Sequence, residues 1–398
     1  MAIDPAKHRV VSEFKHSAPL LCCEFDPAGR FAIAGGRDRQ LAGWDLMSGE
    51  SFLLSGHDSW ITLAARARAD IVLTADQTGV VIAWDCHGDR PEPRWRIAAH
   101  ASSILSLAVD PDGDHFATGD RDGTIRLWRC GDGQRTGEIA GLEHPVYGLA
   151  YHSDGKQLFS ADRQPRKPRW KRWEIAAVRE LLSVEVPALS AYRRVEDIEW
   201  GGIRSLTASP DGGTVIACGE NDYAGPACAI EFDAETGTPL RKFSSPLKGF
   251  YYAALFQPAG FLAVVGGDIG KGECRLWRLA ASAPPSALTA GAAPGTDPAT
   301  APAPAPASGT ATAPARASAT AANVNAKAKA KANASANASA APPAPLSVPL
   351  DTSIAIATAG PCTAMAVHPE GRRFLLAQAI GKGSYPDSGR LGLYEWLD

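Results

Sequence analysis

Short apolar runs of four to six residues, bounded by Gly, Asp, Asn and Pro, recur along most of the 398-residue chain. They come in pairs: FAIAGG (31–36) with QLAGWD (40–45), IVLTAD (71–76) with VVIAWD (80–85), HFATGD (115–120) with TIRLWR (124–129), VIACGE (215–220) with CAIEFD (228–233), and LAVVGG (262–267) with CRLWRL (274–279). Apolar positions that alternate or cluster over so few residues predict strands and not helices. The second run of each pair carries an aromatic residue near its end.

A turn signature marks the same rhythm: DPAG at 26–29, DPDG at 110–113, HSDG at 152–155, SPDG at 209–212, QPAG at 257–260 and HPEG at 368–371. Gly29 and Gly113 are two periods apart, Gly113 and Gly155 one, and the unsigned repeat lies between the first two. With one strand before each signature, one after it, a third ending in the aromatic and a fourth beyond, the unit is a four-stranded antiparallel blade. A period of about 40–45 residues is that of a β-propeller. Seven units can be counted, so the expected fold is all-β, a seven-bladed propeller. The last unit, Pro361 to Asp398, offers three strands and stops, whereas Arg9 to Phe14 is an apolar-alternating run ahead of the first unit. An N-terminal strand at 9–14 is therefore expected to complete the last blade and remove an open sheet edge.

In the third unit His100, Thr118, Asp122 and Trp128 stand thirteen residues before the turn glycine, and ten and six before the tryptophan, in the pattern of the WD-repeat family, which the chain resembles. The resemblance implies that the four side chains form a buried hydrogen-bonded chain bracing the blade; a buried imidazole, hydroxyl, carboxylate and indole N–H must satisfy one another. Other units keep parts of it. The first has His16, Asp38 and Trp44 with Ala34 at the hydroxyl position, and the second has His57, Thr74 and Trp84 with Thr78 at the carboxylate position. The fourth has Ser160 and Trp173, the fifth Asp222 and Phe232, the sixth Trp277 and the seventh Tyr394. Counting from Pro145 and Gly155 puts Leu142, and not His144, in the histidine slot of the fourth. The alanine-rich bias and relaxed tetrads are similar to those of bacterial members of the family.

The stretch 281–345 breaks the pattern, being dominated by Ala, Pro, Ser, Thr and Asn, without an aromatic residue. It has too little apolar surface for a core and reads as a disordered insertion, either a tether or a neutral loop, with its Ala-Lys part at most a marginal helix. The expected organisation is blades one to six over 1–280, the insertion, and then 346–398 supplying the last strand of blade six, at Leu346 to Leu350, and blade seven.

Charge and composition narrow the function. Forty basic against 43 acidic residues give a net charge of -3, without a global field for DNA or anionic membranes. The eight cysteines are scattered without CxxC pairs, which suits a reducing, cytoplasmic setting. Neither a leader with an apolar core nor an apolar run of about 20 residues is visible. His16, His57 and His100 lie one per blade, where the resemblance uses them structurally, so no metal is expected; HExxH, GxSxG and P-loop motifs do not occur. The IGKG repeats at 269–272 and 380–383 lack the following Ser or Thr and helix of a phosphate loop, and neither a cofactor nor catalysis is expected.

Two surfaces are candidates for binding. The run RQPRKPRWKR, 163–172, contains Arg166, Lys167, Arg169, Lys171 and Arg172 around Trp170, a set able to neutralise phosphates and stack on a base, or else to form a solvated hairpin. The other is the narrow face, where the resemblance implies partner binding. There the residue before the tetrad carboxylate is Arg37, Arg121 and Arg163 in units one, three and four, and the residue entering the first strand is Trp60 in unit two and Phe250 in unit six. Arg and exposed aromatics carry much of the energy of interfaces, although Trp60 and Phe250 capping their own blades is the alternative. The expected function is a non-catalytic protein-protein interaction scaffold, a monomeric propeller within a larger complex that binds a segment of a protein partner, with nucleic-acid or phospholigand binding through 163–172 as the rival and an enzyme using the central channel as a third reading.

Overall fold

Strands form wherever the period-two runs stand between turn residues. The computed structural model describes the chain apart from residues 1–3, 5, 69, 165, 194–197, 221–225, 258–259, 269–270, 280–344, 349–352, 382–385 and 398. The described residues form seven antiparallel blades. The third is representative, with Ile104–Val109, His115–Asp120, Ile125–Arg129 and Arg135–Ile139 paired in chain order. The first strands of the others are Leu20–Phe25, Ile61–Arg66, Val146–Tyr151, Ile198–Ala208, Phe250–Gln257 and Cys362–Val367. These seven pack in ring order, the last returning to the first. Each sheet is covered by a neighbour on either side: Trp170 of blade four, for instance, lies edge-on between Phe159 of its own blade and Phe232 of blade five. Among the described residues no helix is long and apolar enough to cross a membrane.

Closure follows the expected route. His8–His16 pairs antiparallel with Ser388–Trp396, from His8 opposite Trp396 to His16 opposite Gly389, and becomes the fourth strand of blade seven. Phe14 then stacks on Trp44 of blade one at 4.9 Å between ring centroids. The signature turns help to seal the same seam. Gly29 has φ +72°, and a Cβ there would lie 2.1 Å from the His368 ring, whose Nε2 donates to the Gly29 carbonyl at 3.0 Å. In the unsigned second blade it is Asp70 that takes positive φ, +57°.

The fourth strand of blade six departs from expectation. It is Ser353–Thr358, with Ile354 opposite Leu276 and Ile356 opposite Cys274. The 346–350 run is reduced to Leu346–Ser347, which pairs in parallel with Arg241 and Lys242 on the outer edge of blade five. Pro349 denies the 346–350 run a ladder donor, whereas SIAIAT places two isoleucines on one face. The expected insertion lies outside the described residues except for Pro345, as does Asp222.

The buried polar chain forms in blades two and three, with one correction to its carboxylate. Trp128 Nε1 donates to Thr118 Oγ1 at 2.8 Å, that oxygen lies 2.7 Å from His100 Nε2, and His100 Nδ1 lies 2.9 Å from an oxygen of Asp120, not of Asp122. Thr118 and Asp120 are two apart on one strand and so share a face. Asp122 lies beyond the strand end, exposed, and gives its amide to Asp120 Oδ1. Blade two repeats this with His57, Thr74, Trp84 and Asp76, so Thr78 is not a replacement for the missing carboxylate; its amide and hydroxyl donate to Asp76. In blade one Gly36 occupies the Asp120 position, and the turn residue Asp38 reaches His16 Nε2 at 2.7 Å. Blade four keeps the Trp173 to Ser160 bond at 2.8 Å. There Leu142 holds the backbone place of the histidine, its amide bonded to Gly123 as that of His100 is to Gly79.

Replacing Asp120 with Ala strands the His100 Nδ1–H and the amides of Asp122 and Thr124, at a cost of about 1–3 kcal/mol for each group left without a partner. Urea unfolding should show this loss, with Asp122→Ala staying within about 0.5 kcal/mol of wild type. Burial, together with the Arg126 charge and against the pull of Asp120, holds the His100 imidazole below its ordinary 6.5. The folded state therefore keeps it neutral while the unfolded chain takes up a proton. Its contribution to stability is complete above about pH 6.5 and declines as the pH falls below that value. Unfolding free energies measured on either side of about pH 6.5 should show the decline, and His100→Gln should flatten it.

Candidate interaction surface at the channel mouth

Every first strand carries one register shift, at Leu20/Cys22, Ile61/Leu63, Ile104/Ser106, Val146/Gly148, Ile203/Ser205, Tyr251/Ala253 and Cys362/Ala364. A bulge adds one residue to a strand and re-aims its side chain. The seven extra residues are Leu21, Thr62, Leu105, Tyr147, Arg204, Tyr252 and Thr363, and all seven line the channel through the ring, a cavity of about 740 Å³. The bulge is thus the device that turns one side chain per blade toward the axis.

Around this channel the structure sets arginines against aromatic faces. Arg37 lies over the Trp60 ring at 4.7 Å, and both line the cavity. Trp60 is 38% exposed. Arg204 lies over Phe250 at 4.8 Å and over Tyr252 at 5.6 Å, and Arg163 lies over Tyr147 at 5.3 Å. A guanidinium on a ring keeps its charge and planar donors while its apolar face is covered. Of the five residues expected on this face, Arg37 and Trp60 line the channel directly, and Phe250 and Arg163 join through Arg204 and Tyr147. Arg121 is exposed; its amide bonds to Ser103 as that of Arg37 bonds to Pro19 and that of Gln77 to Trp60, which puts the three at equivalent rim positions. With Asp120 as the tetrad carboxylate, Arg121 follows that residue and does not precede it. By pattern Tyr251 and Tyr252 both belong to first-strand core; Tyr251 is buried, whereas Tyr252 lines the channel, and for it, as for Arg204 and Tyr147, the signal is the second residue after each first-strand entry. Glu24 is the one carboxylate among the described lining residues; burial pushes its carboxyl above the ordinary range, against the pull of the Arg66 guanidinium.

The basic run does not form the expected patch. Trp170 is 0% exposed, packed between blades four and five, and so is closed to stacking on a base. Lys171 pairs with Glu180 at 2.7 Å and Arg169 with Glu185 at 3.1 Å, while Arg172, itself buried, forks onto the Glu235 carboxylate. Strand alternation explains the difference: residues 169–174 are the third strand of blade four, with Trp170 facing one neighbour and Lys171 the other side. Among the described residues of the run only Arg166 and Lys167 are exposed. Of the IGKG repeats, Lys271 and Gly272 open the third strand of blade six, Ile380 ends the second strand of blade seven, and the middle of each loop is outside the described residues. Among the described residues no group of three His, Cys, Asp or Glu side chains could hold a metal ion.

Seven blades, six of four strands and the fifth extended to six, closure through the N-terminal strand and two complete His-Thr-Asp-Trp chains agree with the match of the WD domain, G-beta repeat, to residues 8–45 and 91–129. The match and the fold together support a place among the WD-repeat β-propellers. Similar curated proteins include telomerase protein component 1 of Rattus norvegicus, 30% identical over 28% of this chain and 4% of that protein. The periodic tryptophan protein 2 homolog of Dictyostelium discoideum is 25% identical over 44% of this chain and 19% of its own length. The target of rapamycin complex subunit wat1 of Schizosaccharomyces pombe is 24% identical over 46% and 54%. The aligned stretches thus span from a small fraction to about half of these relatives' lengths. WD-repeat propellers related to this chain serve in general as protein-interaction scaffolds and are typically non-catalytic.

The two tryptophans separate structure from surface. Trp170→Ala should lower the unfolding free energy by about 3–5 kcal/mol, as for other large aromatic truncations in a core. Trp60→Ala should cost less than about 1 kcal/mol, because the indole is partly solvated already. Chemical denaturation of both variants checks the contrast.

Proposed function

We propose that this protein is a non-catalytic scaffold that binds an acidic segment of a protein partner on the narrow face, at the channel mouth. The observation that supports this reading is the set of arginine–aromatic pairs there: Arg37 with Trp60, Arg163 with Tyr147, and Arg204 with Phe250 and Tyr252. Arginine donors matched to carboxylates give direction, and the rings beneath give apolar area at little entropic cost. Arg121 extends the same rim outward. The ion pairs of Arg169, Lys171 and Arg172 weigh against the rival nucleic-acid reading through 163–172. A reducing cytoplasmic setting belongs to the proposal, supported by eight buried cysteines that carry no disulfide.

Fluorescence polarisation with an Asp/Glu-rich peptide library tests it. Wild type should bind a subset of acidic peptides with affinity that weakens as salt rises. An Arg37→Ala, Arg204→Ala double variant should lose about tenfold or more, some 1.4 kcal/mol. Equal binding by wild type and variant, or equal binding of basic peptides, would remove the narrow face as the site.

A further inference from the structure

The channel offers more than its mouth. Its volume, about 740 Å³, falls within the range of small-molecule sites. Its wall carries Leu21, Leu105, Leu107 and Leu255, left partly open to the channel by the surrounding protein, among serine, threonine and alanine side chains. Apolar side chains that border water-filled space hold hydrophobic free energy that only an occupant can realise. At the mouth, Arg37 is stacked on Trp60, and its Nε is buried without a hydrogen-bond acceptor. A buried guanidinium N–H in that condition favours an anion.

We infer that the channel binds an anionic amphiphile of small-molecule size, an alkyl carboxylate whose head group meets Arg37 and whose chain lies along the leucine-lined wall. The depth fits, since an inner strand of six residues spans about 20 Å. Glu24 stands farther along the first strand of blade one, where burial pushes its carboxyl above the ordinary range and the Arg66 guanidinium faces it, so the Arg37 end is the one that offers an unpaired N–H to a carboxylate. This goes beyond the scaffold reading, which shares Arg37 at the mouth but asks nothing of the wall.

The chain carries its own reporter. Of its three methionines, Met365 lines the channel, whereas Met47 is 86% exposed on the outside. The full chain, labelled with ¹³C-methyl methionine, would be titrated with decanoate held below micelle-forming concentrations. The Met365 signal should shift saturably while that of Met47 stays in place. From octanoate to undecanoate each added methylene should tighten binding about fourfold. Decyltrimethylammonium should bind at least about tenfold more weakly than decanoate, and Arg37→Ala should weaken decanoate by a similar factor. A Met365 signal unmoved by millimolar decanoate, equal shifts at both methionines, or equal affinity for the cationic analogue would each overturn the inference. Acidic peptides binding without any effect of decanoate on Met365 would leave the scaffold reading standing while the channel site fails.

Discussion

No sheet of this protein has a core of its own. The second strands, such as Phe31–Gly36 and Ile71–Asp76, are buried along their whole length, because each blade is covered on both faces by its neighbours. The face-to-face packing of blades is therefore the interaction on which everything else rests, and a ring satisfies it only when closed. His8–His16, the Phe14 and Trp44 stack and the His368 contact with Gly29 all act at the one seam where the chain cannot supply continuity.

Within that frame, much of the fold was legible from sequence because propeller geometry is repeated. Turn glycines, paired apolar runs and an unmatched first strand each recur or fail to recur at a fixed period, and that suffices to place the blades and the closing strand. What sequence missed was set by side-chain direction. Asp120 and Asp122 are two residues apart and both acidic; the strand ends at Asp120, on the face of Thr118, and the turn carries Asp122 away, which decides which of them meets the imidazole. Trp170 lies in a run of cations that looks solvated in one dimension, yet alternation turns it into the core and its neighbours Arg169 and Lys171 toward Glu185 and Glu180.

The candidate surface was legible in part for the same reason. Arg37 and Trp60 come from different blades, and their aligned positions in the repeat bring them to one rim. Arg204 and Tyr147 escaped because their orientation depends on a bulge that leaves no residue signature of its own. Leu346 shows the converse: a plausible strand by pattern, it was outcompeted by SIAIAT, whose isoleucines meet Leu276 and Cys274.

The seven bulges have an evolutionary consequence. Each offers the axis a side chain that stands outside the alternation by which its strand packs between neighbours, so it can be exchanged with little disturbance to the core. Leucine, threonine, tyrosine and arginine already occupy equivalent places in this one ring. Ligand preference can drift residue by residue along such a set while the architecture is held constant by positions that never face the channel, and closely related propellers should diverge in specificity faster than in stability.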